Sequence, residues 1–286
     1  MDLPASTNAE GVRENLAATR WLIAPFVVLA GAGAFVLYLF PRDTDALFAW
    51  TLRPPLSAMF MGAGYAAGVL LTVLSYRRQP WAVTRTATLT ILVFVAVMTA
   101  ATFLHLDKMH FDAAEVTAQF AAWAWLVVYV VVPPLLLAII VAQSRQPGVD
   151  PPRLHPLPVA VRAALALQGL ALLSLGVALF GWPESMDGVW PWAITELSGR
   201  ALSAWIVAIG FASLWVTYEN DLRRTRPAAM TSVALGALWL LAAIRDADSM
   251  RWERASAWIY VVGAALAVSV GLWGWSLSRG AVGSEG

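Results

Sequence analysis

Apolar residues come in eight long runs along this chain, and charged residues are confined almost entirely to the gaps between them. The runs lie near 21–40, 56–76, 87–106, 120–141, 159–180, 201–218, 228–244 and 257–277. Each is about 17–22 residues, which as a helix rising about 1.5 Å per residue reaches about 25–33 Å, the thickness of a bilayer's hydrocarbon core. Helices of water-soluble domains keep a polar stripe, and these runs have none. The pattern predicts an all-α polytopic membrane protein of eight transmembrane helices.

The gaps add an orientation. The chain ends and the second, fourth and sixth gaps collect Arg13, Arg20, Arg77, Arg78, Arg85, Arg145, Arg153, Arg162, Arg223, Arg224, Arg226 and Arg279. The other gaps hold Arg42, Arg53, Lys108, Arg200, Arg245, Arg251 and Arg254 together with most of the acids. By the positive-inside rule both termini are expected in the cytoplasm, with Arg77-Arg78 and Arg223-Arg224 as stop signals after their spans or, in the alternative reading, as contacts for anionic lipid head groups. Segment 144–158 carries five prolines, Pro147, Pro151, Pro152, Pro156 and Pro158. It is expected to be a stiff cytoplasmic linker with little structure of its own.

That linker separates two halves that resemble each other. Phe40-Pro41 through Asp45 to Trp50 matches Trp182-Pro183 through Asp187 to Trp192 without a gap. Leu56-Ser57-Ala58 is repeated as Leu202-Ser203-Ala204, and Arg77-Arg78 as Arg223-Arg224. Four spans per half is an even number, so both halves enter the membrane from the same side and the implied pseudo-two-fold axis runs along the membrane normal. The predicted organisation is a cytoplasmic segment 1–20, a four-helix repeat 21–143, the linker 144–158, a second four-helix repeat 159–278 and a cytoplasmic tail 279–286. Ala30-Gly31-Ala32 superficially offers a signal-peptide cleavage site. The apolar run continues through Phe40, which suits an anchor that stays.

Composition sharpens what is excluded. Hydrophobic residues are 59% of the chain and charged residues 13%, against about 25% charged in soluble domains. A net charge of +1 gives no basic stripe, so no nucleic-acid partner is expected. With no cysteine, disulfides, thiolate metal sites and cysteine nucleophiles are impossible. The one lysine, Lys108, sits at a span's end, which excludes a mid-membrane Schiff base. No phosphate-binding loop is present. The middles of the spans carry no ionised side chain, which argues against a proton-coupled pump or a charged-ring channel.

Candidate chemistry is concentrated on the predicted outer face. His105, Asp107, His110 and Asp112 follow the third span, and imidazole with carboxylate at such spacing could hold a divalent metal or perform acid–base work. The competing reading is a solvated loop in which His105 caps the span's free carbonyls. The i, i+5 spacing of the histidines does not match one helical face, so joint ligation would require a loop. Bis-histidine haem is not expected without a mid-membrane histidine.

Asp45 and Asp187, with Trp50 and Trp192, could face one another across the pseudo-axis and suit sugar or glycolipid chemistry; capping and interface anchoring would need the same residues. Arg200 opens the sixth span beside Glu196, and Arg245 closes the seventh beside Asp246 and Asp248. Each is expected to pair with its neighbouring acid as a structural contact; partly buried at the interface, either could instead grip a phosphate. Pro133-Pro134 in the fourth span frees the carbonyls of Tyr129 and Val130, which predicts a kink and, in one reading, a cleft beside Tyr129. Gly64 and Gly68 read as a small-residue packing face.

Trp190-Pro191-Trp192 with Thr195 and Leu197, and His105-Leu106-Asp107 with His110-Phe111, resemble patterns in uncharacterised bacterial polytopic membrane proteins. The resemblance covers most of the chain and implies no activity, so no functional residue follows from it. Three classes of function remain open in a bacterial-type plasma membrane. The first binds or moves an apolar or amphiphilic, lipid-like molecule through candidate residues Trp50, Tyr129, Asp45, Asp187, Trp192 and Arg200, with membrane lipids as partners. The second is a scaffold or accessory subunit holding a membrane-protein partner. The third is an enzyme with the histidine–aspartate site, with or without a divalent metal; no cofactor is otherwise implied.

Overall fold

The computed structural model describes residues 11–77 and 80–283. Arg78 of the expected stop pair, and residues 1–10 and 284–286 of the two expected tails, lie outside the described residues, as do the side chains of Arg20 and Arg279. Eight helices are long and apolar enough to cross a membrane. They are α1 (Ala17–Leu39), α3 (Pro55–Tyr76), α4 (Trp81–Phe103), α5 (Val116–Ser144), α6 (Val159–Gly181), α8 (Glu196–Glu219), α9 (Leu222–Arg245) and α10 (Ala255–Gly283). Two short helices, α2 (Thr44–Leu47) and α7 (Pro183–Asp187), and two single 3₁₀ turns, Leu106–Lys108 and Ala247–Ser249, complete the set. Among the described residues there is no strand, only an isolated bridge between Val12 and Val149.

Local chemistry explains where the helices begin and end. Pro54, Pro80 and Pro158 stand immediately before α3, α4 and α6, where an amide hydrogen would have no helical partner. Thr195 caps α8 by accepting from the Ser198 amide, and Asp221 caps α9 by accepting from the Arg223 and Arg224 amides. Between them Asn220 takes a left-handed conformation with φ of 45°, which lets two residues reverse the chain from α8 to α9.

The third span starts at Trp81 rather than near residue 87, so Arg85 lies inside a helix instead of in a loop. Its charge is tolerated there because Glu219 and Asp150 pair with it. Pro133 and Pro134 remain within an unbroken α5. The Tyr129 carbonyl released by Pro133 accepts from the Thr99 hydroxyl of α4 at 2.8 Å.

The helices form an inner and an outer group. In α3, 67% of the most apolar stretch is buried; in α5, α6 and α10 the figure is 17%. Inner helices α3, α4, α8 and α9 cross between the halves, α4 packing on α8 and α3 on α9. Outer α1 lies on α3, α6 on α8, α5 on α4 and α10 on α9. Glycine makes the closest approach possible: a Cβ on Gly210 of α8 would stand 2.9 Å from the Leu173 amide nitrogen and 3.0 Å from the Gly169 carbonyl of α6.

One end of the bundle gathers the segment around Arg13, the linker and the α8–α9 turn. The Arg13 amide donates to Val149, the Trp81 amide to Arg13, and the Leu222 amide to His155. Linker residues Leu154, His155 and Leu157 donate to Asp221 and Asn220. The linker is therefore hydrogen-bonded to its neighbours at Val149, Leu154, His155 and Leu157. The opposite end gathers the remaining loops, where the His110 amide donates to Ala49 and the Arg251 amide to Pro191, each at 2.8 Å.

Candidate functional site

At the end of the bundle away from the termini, the predicted site residues are divided among separate partners. His105 is buried, and its Nε2 accepts from Arg200 Nη1 at 2.6 Å. The same guanidinium donates to Glu196 at 3.0 Å and, through Nε, to the Phe180 carbonyl at 3.1 Å. Accepting at Nε2 puts the imidazole proton on Nδ1, and burial together with the adjacent cation lowers its pKa from the ordinary histidine value. His110 turns elsewhere, with Nδ1 on the Phe48 carbonyl at 2.9 Å and Nε2 on the Thr51 hydroxyl at 3.1 Å. Asp107 pairs with Lys108, and Asp112 is exposed. Among the described residues no group of three or more histidines and carboxylates is arranged to hold a metal.

The aspartates related by the sequence repeat each have an arginine of their own half. Asp45 meets Arg53 at 3.6 Å, and Asp187 meets Arg251 at 3.2 Å while accepting from the Ile194 amide at 2.8 Å. Burial raises the Asp187 carboxyl, but the Ile194 amide and Arg251 outweigh it and hold it below the ordinary value. Arg245 departs from expectation. It donates to the Tyr38 carbonyl at 2.7 Å and lies over the Tyr38 ring, while Asp246 is taken by Arg42 at 3.5 Å. The end of α1 thus competes successfully for Arg245, because its last carbonyls have no helical donor.

Behind these loops the tryptophans and tyrosines form an aromatic core rather than a cleft. Trp50 packs on Phe48 and Trp125, and Trp192 on Trp190 and Tyr260. Tyr129 hydrogen-bonds the Tyr65 hydroxyl at 2.8 Å and is almost fully buried. Trp192 donates to Ser57 and Trp125 to Thr102, each at 2.9 Å.

A cavity away from these loops lies in the other half of the protein's thickness. Its volume is about 210 Å³, and it is enclosed by inner helices α3, α4, α8 and α9 and by outer helices α1, α6 and α10. None of Trp50, Tyr129, Asp45, Asp187, Trp192 or Arg200 lines it. Its wall is apolar, with small residues such as Gly68, Ala212 and Ala229 lining it, and no charged side chain faces it among the described residues. The Gln168 amide bonds Ser213 at 3.2 Å, and Ser232 bonds the Ala267 carbonyl at 2.9 Å. Three further donors on the wall, the Thr90 and Thr231 hydroxyls and the Trp205 indole N–H, are buried without an acceptor among the described residues.

Gly64 and Gly68, expected as one packing face, divide their roles. A Cβ on Gly64 would strike the Trp205 ring at 2.7 Å, whereas one on Gly68 would meet nothing within 4 Å. Sequence reasoning found the glycines but had no means of seeing which of them opens onto space.

Beneath the cavity, toward the termini, lies a buried ionic cluster. Fully buried Glu219 accepts from Arg85, including Nη2 at 2.7 Å, and from Arg224 Nη1 at 2.8 Å. Arg85 also pairs with Asp150, and Arg224 donates to the Pro151 carbonyl. Arg153 reaches Glu219 at 3.7 Å and lies over the Tyr218 ring. The cluster therefore joins α4 of the first half, the linker, and α8 and α9 of the second. In the sequence Arg85 and Arg153 speak for orientation and Arg224 for orientation or lipid head-group binding; no local signal ties Arg85 to an acid 134 residues away.

No family model, curated protein or solved structure matches this chain. The functional reading consequently rests on the site itself.

Proposed function

We propose that this is an integral plasma-membrane protein, built by duplication of a four-span unit, that binds or moves a lipid-like amphiphile through the cavity near its termini. The observation that carries this reading is an uncharged space of about 210 Å³ within the bundle, bounded by all four inner helices. An apolar wall suits an acyl or isoprenoid chain.

The duplication is supported by equivalences beyond the motif. The helices α3 and α4 and the 3₁₀ turn start at residues 55, 81 and 106, and their counterparts at 196, 222 and 247, a constant offset of 141, under which Leu56-Ser57-Ala58 falls on Leu197-Ser198-Gly199 rather than on Leu202-Ser203-Ala204, and the match of Arg77-Arg78 to Arg223-Arg224 is set aside. The Phe48–Trp50 contact has its counterpart in Trp190–Trp192. The amide bonds of His110 to Ala49 and of Arg251 to Pro191 correspond as well. The packing of α4 on α8 and of α3 on α9 is the exchange a two-fold axis would produce. With the arginine bias, both termini face the cytoplasm.

The test is lipid retention by mass spectrometry on protein purified in gentle detergent. Wild type is expected to carry a stoichiometric lipid-like ligand, and Gly68→Leu, which fills the cavity without a packing clash, is expected to lose it. Protein that folds but carries no lipid and gains no thermal stability from any lipid would refute the proposal.

A further inference from the structure

We propose that the cavity's occupant is an anionic phospholipid, which enters sideways between α6 and α10 and rests its phosphate on Arg153, Arg162 and Arg226; this rests on the cavity reading above. The entrance is marked by side chains that belong to two surfaces at once. Gln168 of α6, and Val270 and Trp273 of α10, line the cavity and are also exposed on the outside of the bundle. The helices α6 and α10 scarcely touch, each being packed instead on its own inner helix, α8 or α9. An opening at the depth of these residues faces the hydrocarbon, so a chain can pass in without crossing water.

The charge of the occupant follows from the floor. Leu157, Val161, Val216 and Leu222 close the cavity toward the termini. Just beyond them the positive charges outnumber the negative ones. Arg85 and Arg224 are consumed by Glu219 and Asp150, and Asp221 is consumed by four backbone amides, those of Leu154, His155, Arg223 and Arg224.

Three further arginines belong to the chain segments that form this floor. Arg153 is 42% exposed and reaches Glu219 only at 3.7 Å. Arg162, one residue past Val161, is exposed, and Arg226, next to the wall residue Thr225, is half-buried. No ion pair among the described residues engages either of these two. Guanidinium groups at this depth match a phosphate diester better than a zwitterion, whose own ammonium group would offset the attraction. The charge-free wall holds the chain, and the arginines hold the head.

The test offers delipidated full-length protein an equimolar mixture of phosphatidylglycerol and phosphatidylcholine with identical acyl chains, and reads retained lipid by native mass spectrometry. Wild type is expected to retain the anionic lipid over the zwitterionic one by roughly tenfold. The triple variant Arg153→Gln, Arg162→Gln, Arg226→Gln is expected to retain lipid with that preference lost. Arg162→Gln alone, on an exposed side chain, is expected to reduce it in the same direction. Equal uptake of both lipids by wild type, or an undiminished preference in the triple variant, overturns the anionic assignment while leaving the cavity reading standing. Uptake of neither lipid overturns both.

The entrance is tested separately. The chain has no native cysteine, so Gln168→Cys with Val270→Cys can be joined by a bifunctional maleimide. Cross-linked protein is expected to stop exchanging lipid, and undiminished exchange would refute entry between α6 and α10.

Discussion

Glu219→Gln is the substitution that most directly probes how the halves are held together at the terminus side. Glu219 is fully buried and compensates two arginines, Arg85 and Arg224, whose side chains are only 14% and 6% exposed. The amide keeps the shape and loses the charge. Arg85 still has Asp150, so its loss is partial, whereas Arg224 retains only the Pro151 carbonyl. Removing one partner of a buried ion pair costs about 3–5 kcal/mol because an uncompensated charge is left behind. The expected destabilisation lies in that range.

The assay is reversible unfolding in mixed micelles, with Asp45→Asn as the control. The Asp45–Arg53 pair spans 3.6 Å with both side chains half or more exposed, so its loss should cost less than about 1 kcal/mol. A double-mutant cycle between Arg85→Gln and Glu219→Gln should give a coupling above about 1 kcal/mol. If Glu219→Gln costs no more than the control, the cluster is not the tie between the halves that its geometry implies.

Three further outcomes are expected. The His105 pKa is lowered in the folded state, so below about pH 6.5 the unfolded chain binds more protons than the native protein. Stability from this group is complete above that pH and is lost as pH falls through the folded value, so the thermal midpoint should drop on acidification and drop less in His105→Gln; equal slopes would refute it. Thr99→Val removes the donor to the carbonyl freed by Pro133 and should cost about 1–3 kcal/mol in the same unfolding assay. Gly210→Leu, which drives a side chain into the α6 backbone, should destabilise by at least about 1–3 kcal/mol, whereas Gly68→Leu should leave the unfolding midpoint near that of delipidated wild type.

The spans were legible because eight uninterrupted apolar runs of bilayer length leave few alternatives, and each run contains a long helix. The aromatic motif was legible for a similar reason: Phe48, Trp50, Trp190 and Trp192 carry enough side-chain surface that their spacing alone indicates a shared role. What the sequence could not show is which helix faces which. In hydrocarbon there is no polar stripe to mark the outward face, and α5 and α10 are apolar on every side. Small residues look the same in the sequence whether they admit a neighbouring helix, as Gly271 admits α9, or leave space, as Gly68 does. Arg85 was misplaced into a loop because a charge normally ends a span; only its partners on another half of the chain keep it inside one.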